Sequence, residues 1–211
     1  MTRIQKTVLV LVAVVALIVG LTVHRVLNSS AQANPAALLD AGIVLLPQTR
    51  PMPDLRLTDE NGEPVQLDQL EGRWTLLFFG YTFCPDICPA TLAELRQLRS
   101  GLPEALRDRV QPILVTVDPH RDTPEQLRQY LGFFGAGFKG LTGPMEGIQT
   151  LADAVGIPFI PADTSKENYT VDHSGNLALI GPDGSQHGFI RAPLKTDKLA
   201  EQLPKLIGRD G

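Results

Sequence analysis

A continuous apolar run, Trp74–Phe79, lies near the middle of the chain, and a second, largely apolar segment follows at Gln111–Val117. Segments of this kind are typical of strands that are buried on both faces of a sheet. The first run is followed by a proline-rich turn and then by leucines at helical spacing, Leu92, Leu95 and Leu98. The pattern therefore predicts β-α units whose strands lie parallel in the centre of a sheet.

Polar residues and turns separate the other predicted elements. Side chains on both sides of Asn61-Gly62 alternate between apolar and polar, which predicts a β-hairpin over 54–67. Thr123 is placed to cap a helix that begins at Pro124. The remaining predicted elements are a short strand over 141–143, a helix over 144–155, a hairpin of strands 177–180 and 186–190, and a helix over 196–206. This order predicts an α/β fold with a mixed central sheet and helices on both faces.

The N-terminus contains an uncharged apolar run of 17 residues, Thr7–Val23, preceded by Arg3 and Lys6. A run of this length can just span a bilayer as a helix, and the basic residues stay on the cytoplasmic side. A cleavable signal peptide is the alternative, because Ala31-Gln-Ala33 resembles a small-residue cleavage site. The length of the run and its distance from that site favour an uncleaved anchor. We therefore expect a single-pass protein of the bacterial inner (cytoplasmic) membrane whose domain faces the periplasm.

The domain boundaries are predicted from the same patterns. The anchor covers residues 1–26, a tether without clear periodicity covers 27–53, and a folded domain covers 54–208. The composition, 43% hydrophobic and 20% charged, is that of an ordinary globular protein. The formal net charge is −4 and no basic cluster lies outside the N-terminus, so no nucleic-acid partner is expected.

Cys84 and Cys88 are the only cysteines in 211 residues, and they lie in the turn Cys-Pro-Asp-Ile-Cys-Pro. A strand that ends in paired thiols leading into a helix is typical of a thioredoxin-like fold, although the usual redox spacing there is CxxC. Four residues apart on a helix, two cysteines share one face and can bind one soft metal ion or form a disulfide. The prolines of the turn and the positive end of the following helix favour the thiolate form, which indicates a functional pair.

Two thiolates rarely complete a metal site, and a third ligand is expected to be an imidazole or a thioether. His187 lies within the final predicted hairpin, where a surface position is expected. His120 follows the second parallel strand and His173 precedes the last hairpin, so either can lie near Cys84, and the residues alone do not rank them far apart. Asp118 is placed to orient a ligand histidine or to tune the thiols, or simply to cap its own turn.

Four segments, in their order and spacing, resemble those of the Sco/SenC family of copper proteins. They run from Trp74 to Pro89, from Val115 to Pro124, from Leu141 to Gly143 and from Val171 to Ser174. The resemblance covers about residues 54 to 207. It implies a thioredoxin-like domain that binds one copper ion, Cu(I) or Cu(II), through Cys84, Cys88 and His173.

The resemblance also implies a function and partners. Members of the family deliver copper to the dinuclear CuA centre of cytochrome c oxidase, or reduce the cysteines of that centre. The implied partners are the copper-binding subunit of the oxidase, an exported thiol reductant and another copper carrier. The reductant is needed because Cys84 and Cys88 can form a reversible, redox-active disulfide in an oxidising compartment.

Two other functions compete with the copper chaperone. An exported thiol–disulfide oxidoreductase would use Cys84 and Cys88 as its reactive pair and would work without metal. A thiol peroxidase shares the fold but needs one activated thiolate with a nearby threonine and arginine. It is disfavoured because the first arginine after the thiols is Arg96.

Overall fold

A computed structural model of the chain describes residues 3–29, 34–135, 137–166 and 168–208. It divides into two units, residues 1–34 and residues 35–211. The first unit contains helix α1 (Arg3–Ser29). No helix within the described ranges is long and apolar enough to cross a membrane, so the predicted anchor is not confirmed. The alternative cleavage site at Ala31-Gln-Ala33 lies outside the described residues.

The second unit is built on one eight-stranded mixed sheet with the order β1-β8-β7-β4-β5-β6-β2-β3. Strands β4, β5 and β6 are parallel neighbours, and the other pairs are antiparallel. The strands are β1 (Ile43–Pro51), β2 (Arg56–Asp59), β3 (Pro64–Gln66), β4 (Trp74–Gly80), β5 (Val110–Thr116), β6 (Lys139–Thr142), β7 (Leu177–Ile180) and β8 (Ser185–Ile190). The mixed α/β sheet that the sequence predicts is confirmed.

Helices connect the parallel strands of the sheet. Helix α3 joins β4 to β5, and α5 joins β5 to β6, as parallel strands require. Thr123 caps α5 as predicted, because its hydroxyl accepts a hydrogen bond from the Gln126 amide. The helices of this unit are α2 (Pro35–Asp40), α3 (Ile87–Gly101), α4 (Glu104–Arg107), α5 (Pro124–Gly132), α6 (Met145–Ala154) and α7 (Thr196–Ile207), with a 3₁₀ turn at Leu67–Gln69.

Strand β4 is the central strand of the sheet and leads to the cysteines. Every residue of β4 is buried, which explains why its sequence is apolar throughout. It pairs in parallel with β5 on one side and antiparallel with β7 on the other. The segments that follow β4 and β5 and the segment that precedes β7 therefore meet at one edge of the sheet.

The tether prediction for residues 27–53 needs correction from Pro35 onwards. Helix α2 and strand β1 occupy this segment, and β1 pairs antiparallel with β8, with Ile43 opposite Ile190. Leu38, Ala41 and Ile43 are buried in the core. These residues belong to the folded domain, which therefore begins before the predicted boundary at residue 54.

Candidate metal centre

The cysteine turn, residues 81–88, connects the end of β4 to the first turn of α3. Cys88 is fully buried, whereas Cys84 is half-buried at the surface of the turn. The backbone N–H of Tyr81 donates a hydrogen bond to the Cys88 sulfur at 3.4 Å. The turn thus holds one sulfur in the protein and presents the other towards solvent.

Gly80 makes room for the buried sulfur. A Cβ atom at this position would lie 2.7 Å from Cys88 Sγ and 2.8 Å from the ring of Phe78. Real Cβ atoms do not approach other atoms so closely, so Gly80 is the residue that allows α3 to bring Cys88 against the end of β4. Its signal in the sequence is a glycine that ends an apolar strand immediately before the turn.

The histidine loop, residues 155–176, brings His173 to the two cysteines. The loop leads into β7, and Leu177 at the start of β7 pairs with Phe78 of β4. His173 Nε2 lies 3.3 Å from Cys88 Sγ. The nitrogen and the two sulfurs all lie within 4.8 Å of one another, and these three residues could hold one metal ion.

The imidazole of His173 is held in one orientation by its neighbours. Its Nδ1 lies 3.3 Å from the carbonyl oxygen of Ser174, and edge-to-face contacts place the rings of Phe78 and Tyr81 at 5.9 and 5.6 Å. A ring that donates from Nδ1 to a carbonyl has its Nε2 lone pair free. The Ser174 carbonyl can only accept a hydrogen bond, so it favours the tautomer with the proton on Nδ1, in which the Nε2 lone pair is available to a metal ion.

Burial shifts the pKa values of two of the three ligands, Cys88 and His173. It raises the pKa of Cys88, and the Tyr81 N–H only partly opposes this effect. The expectation that the helix end would favour the thiolate is therefore wrong for Cys88. Burial also lowers the pKa of His173, so the imidazole is neutral near pH 7. A metal ion must therefore displace the proton of Cys88, whereas the imidazole of His173 is already deprotonated at Nε2 and can bind the ion directly.

Asp118 lies close to the site but contacts neither the thiols nor the imidazole through any hydrogen bond between described residues. Its buried carboxylate pairs with Arg121 and accepts a 2.8 Å hydrogen bond from the hydroxyl of Tyr169. Its backbone carbonyl accepts from the amide of Asp122 at 2.9 Å. Of the roles considered from the sequence, the structure supports organisation of the turn and not direct orientation of His173.

The other two histidines of the domain lie apart from the cysteines. His120 is exposed and does not belong to the metal-ligand group formed among the described residues. His187 pairs with Asp183 at 2.9 Å and contacts the ring of Trp74. The structure therefore distinguishes His173 from the other candidate ligands, which the residues of the sequence alone did not.

Asp122 fixes the start of the cysteine turn, a role that the sequence did not reveal. Its fully buried carboxylate accepts bonds from the Thr82 amide at 3.0 Å, the Thr82 hydroxyl at 2.6 Å and the Thr116 hydroxyl at 2.6 Å. Burial raises the pKa of Asp122 in spite of these three donors. The carboxylate joins the turn after β4 to the end of β5.

Two sulfurs and one imidazole form a donor set for a soft metal ion. Cys and His ligands suit Cu(I) and also Cu(II) or zinc, whereas a structural zinc site has four protein ligands. Two of the three ligands follow the parallel strand β4, the third precedes β7 at the same end of the sheet, and Cys84 is partly open to solvent, so the site leaves room for a further donor. The fold and the site together define a thioredoxin-like protein with an open, soft-metal centre.

Comparisons with known proteins identify the family. The family model described as SCO1/SenC matches residues 46–208. A protein of Stutzerimonas stutzeri whose name describes it as copper-binding is 53% identical over 175 residues, which are 82% of this chain and 86% of that protein. The structure of Bradyrhizobium japonicum ScoI with copper bound is 32% identical with a TM-score of 0.65, covering 74% of this chain and 98% of that one. The chain belongs to the SCO1/SenC family.

A more distant structure shares the fold. BsSco is described as a member of the Sco family of cytochrome c oxidase assembly proteins in which a disulfide switch was identified. It is 23% identical to this chain with a TM-score of 0.60, and the match covers 75% of this chain and 94% of BsSco.

Proposed function

We propose that this protein binds one copper ion through Cys84, Cys88 and His173 and delivers it to the CuA centre of cytochrome c oxidase. The observation that carries the proposal is the convergence of the two sulfurs and Nε2 within 4.8 Å of one another. Copper bound to ScoI of Bradyrhizobium and the oxidase-assembly role stated for the Sco family support the choice of metal and recipient.

The burial of the three ligands suits an ion that is released again. Cys88 is fully buried, whereas Cys84 and His173 are each half-buried and can be approached by another protein. A recipient cysteine or histidine can therefore replace these two ligands one at a time, while Cys88 keeps its bond until last. Ligand exchange of this kind suits a three-ligand site and not a closed four-ligand site.

A second candidate function is reduction of the CuA cysteines. It is favoured by the two free thiols one helical turn apart, and a disulfide switch is described for BsSco. In this reaction Cys84 and Cys88 are oxidised to a disulfide and the partner's disulfide receives two electrons and two protons. An exported thiol reductant must then restore the pair, and another copper carrier would supply the oxidase.

Incubation with the copper-free soluble domain of the oxidase subunit separates the two functions. Two equivalents of copper-loaded protein, one carrying Cu(I) and one carrying Cu(II), and a recipient with reduced cysteines should yield a recipient with the absorption of the dinuclear CuA centre and two equivalents of copper-free donor. If copper stays with the donor, but the reduced donor rapidly reduces a recipient that carries a disulfide, the reductase function replaces delivery. Protein oxidised at Cys84 and Cys88 should neither bind nor transfer copper, because His173 remains as the sole ligand.

We infer that the chain acts on the periplasmic face of the inner membrane, where the oxidase exposes its CuA domain. The apolar run Thr7–Val23 and the preceding Arg3 and Lys6 support export with the N-terminus inside. Membrane fractionation and mass spectrometry of the mature protein test this. An intact N-terminus in the membrane fraction supports an anchor, whereas a mature N-terminus at Asn34 would show cleavage.

A further inference from the structure

Arg121 lies at the junction of the segments that carry the ligands. Its guanidinium lies 3.7 Å from the centroid of the Tyr169 ring and 4.8 Å from that of Phe83, and it also faces Tyr81 at 5.7 Å. Its Nε pairs with the buried carboxylate of Asp118. A planar guanidinium can stack on rings and donate in its plane at the same time, which a lysine ammonium cannot do.

These contacts join two segments that lie far apart in the sequence. Phe83 belongs to the cysteine turn and immediately precedes Cys84. Tyr169 belongs to the histidine loop, four residues before His173, and its backbone carbonyl accepts a 3.2 Å hydrogen bond from Arg121. Arg121 therefore touches both sides of the metal centre without approaching it as a ligand.

The histidine loop has other bonds, but several of them close the loop on itself. The Ile160 amide donates to the Asp172 carbonyl, and Lys166 and Ser165 bond to Asp163. By contrast, the bond from the Tyr169 hydroxyl to Asp118 and the bond from the Val171 amide to the Tyr81 hydroxyl reach the rest of the domain. The Tyr169 bond ends on the carboxylate that pairs with Arg121, and Tyr81 lies beside the same guanidinium.

We propose that Arg121 is a positioning residue that holds the histidine loop against the cysteine turn and so sets the distance from His173 to the thiols. The proposal rests on the proposed function in one respect: the distance from His173 to the thiols is expected to affect copper binding, which is itself part of that function. Loss of Arg121 removes three ring contacts, one carbonyl bond and the partner of a buried carboxylate. The loop should then move away from the turn, while the two sulfurs keep their separation.

The experiment compares Arg121→Met, Arg121→Lys and Tyr169→Phe with Arg128→Met, which removes an exposed arginine from α5. Hydrogen exchange is measured first on the reduced, copper-free proteins. Amides of residues 169–173 should exchange about tenfold faster in Arg121→Met, as loss of a cation–π contact and a hydrogen bond implies. Amides of α3 should keep the wild-type rate, and Arg128→Met should match wild type throughout.

Copper binding gives the second readout. Cu(II) should dissociate about tenfold faster from Arg121→Met, within the range found for residues that orient metal ligands, while thiolate charge-transfer absorption is retained. Arg121→Lys should lie between Arg121→Met and wild type, because it keeps the charge opposite Asp118. Wild-type exchange at 169–173 in folded Arg121→Met would overturn the proposal.

Two further outcomes remain decisive. If Arg121→Met does not fold, Tyr169→Phe and Arg121→Lys decide by the same comparison, since each removes only part of the junction. If wild-type protein binds no copper, the proposed function fails, whereas the exchange measurement still tests the role of Arg121 in the copper-free protein.

Discussion

The cysteine turn and the histidine loop supply ligands to the same site but are built in different ways. The turn is short and lies between a fully buried strand and the 15-residue helix α3. The loop spans residues 155–176 between α6 and β7 and is tied to the rest of the domain by the bond from the Tyr169 hydroxyl to Asp118 and the bond from the Val171 backbone amide to the Tyr81 hydroxyl. The separation of the sulfurs is therefore fixed locally, whereas the position of the imidazole depends on tertiary contacts. A site of this kind has a rigid half, the two sulfurs of the cysteine turn, and an adjustable half, the imidazole of the histidine loop.

Removing a sulfur from the rigid half should have the largest effect. We expect Cys84→Ser and Cys88→Ser each to abolish thiolate charge-transfer absorption with Cu(II), because the one thiolate and one imidazole that remain are too few ligands to hold the ion. The loss of affinity should exceed the roughly 100-fold that follows loss of a residue orienting a ligand. Copper titration with metal analysis measures this, and Thr91→Ser on the same helix serves as the control. Wild-type affinity in both cysteine variants would exclude this site.

Removing the ligand of the adjustable half should have a smaller effect. We expect His173→Ala to weaken Cu(II) binding by about 100-fold while part of the thiolate absorption is retained, since both sulfurs stay in place. His120→Ala is the matched control, because His120 is exposed and lies outside the ligand group. Titrations monitored by absorbance compare the two variants. A larger loss in His120→Ala would mean that the wrong histidine has been assigned.

Disturbing the packing behind the cysteine turn should have the next largest effect. Gly80→Ala places a Cβ against Cys88 Sγ, so we expect a loss of about 1–3 kcal/mol in the free energy of unfolding, as for other overpacked sites. The charge-transfer band should also shift, because Cys88 is displaced. Gly132→Ala at the end of α5 is the control, since nothing lies within 4 Å of its Cβ. Equal stability of the two variants in urea would contradict the assigned role of Gly80.

The smallest expected effect is the pH dependence that His173 gives to folding. The folded copper-free protein lowers the pKa of His173 below its ordinary 6.5, so the unfolded chain binds this proton first as the pH falls. The free energy of unfolding should therefore decrease as the pH falls below about 6.5, the ordinary value for histidine. Urea denaturation between pH 7 and pH 5 should show a weaker decrease in His173→Gln. The same decrease in the free energy of unfolding in wild type and His173→Gln would show that His173 is not the cause of the pH dependence.

The sequence predicts the rigid half of the site well and the adjustable half poorly. A CxxxC spacing on a predicted helix places two sulfurs together from local geometry alone. The histidine lies 85 residues after Cys88, and no local pattern tells which of two loops reaches the thiols. The family resemblance selects His173, and the structure brings that residue to the cysteines. Asp122 and Arg121 were missed because their contacts join segments that are distant in the chain.

The same distinction holds for the fold. The buried runs of β4 and β5 are predictable because strands covered on both faces must be apolar. Strand β1 was missed because it lies at the edge of the sheet beside β8 and is mostly exposed. Its two prolines, Pro47 and Pro51, are compatible with an edge strand but look like a linker in the sequence.

Strand β1 also has a consequence for the solubility of the domain. Its prolines and the irregular register between Leu45 and Arg50 make it a poor template for further strands. A fragment beginning at residue 54 would lack β1 and leave β8 as a bare edge, with open backbone groups beside Phe189 and Ile190. Such a fragment should self-associate through β8 and elute early in size-exclusion chromatography. A fragment beginning at Pro35 keeps this edge covered and should stay monodisperse, which makes the first 19 residues of the domain a built-in guard against aggregation.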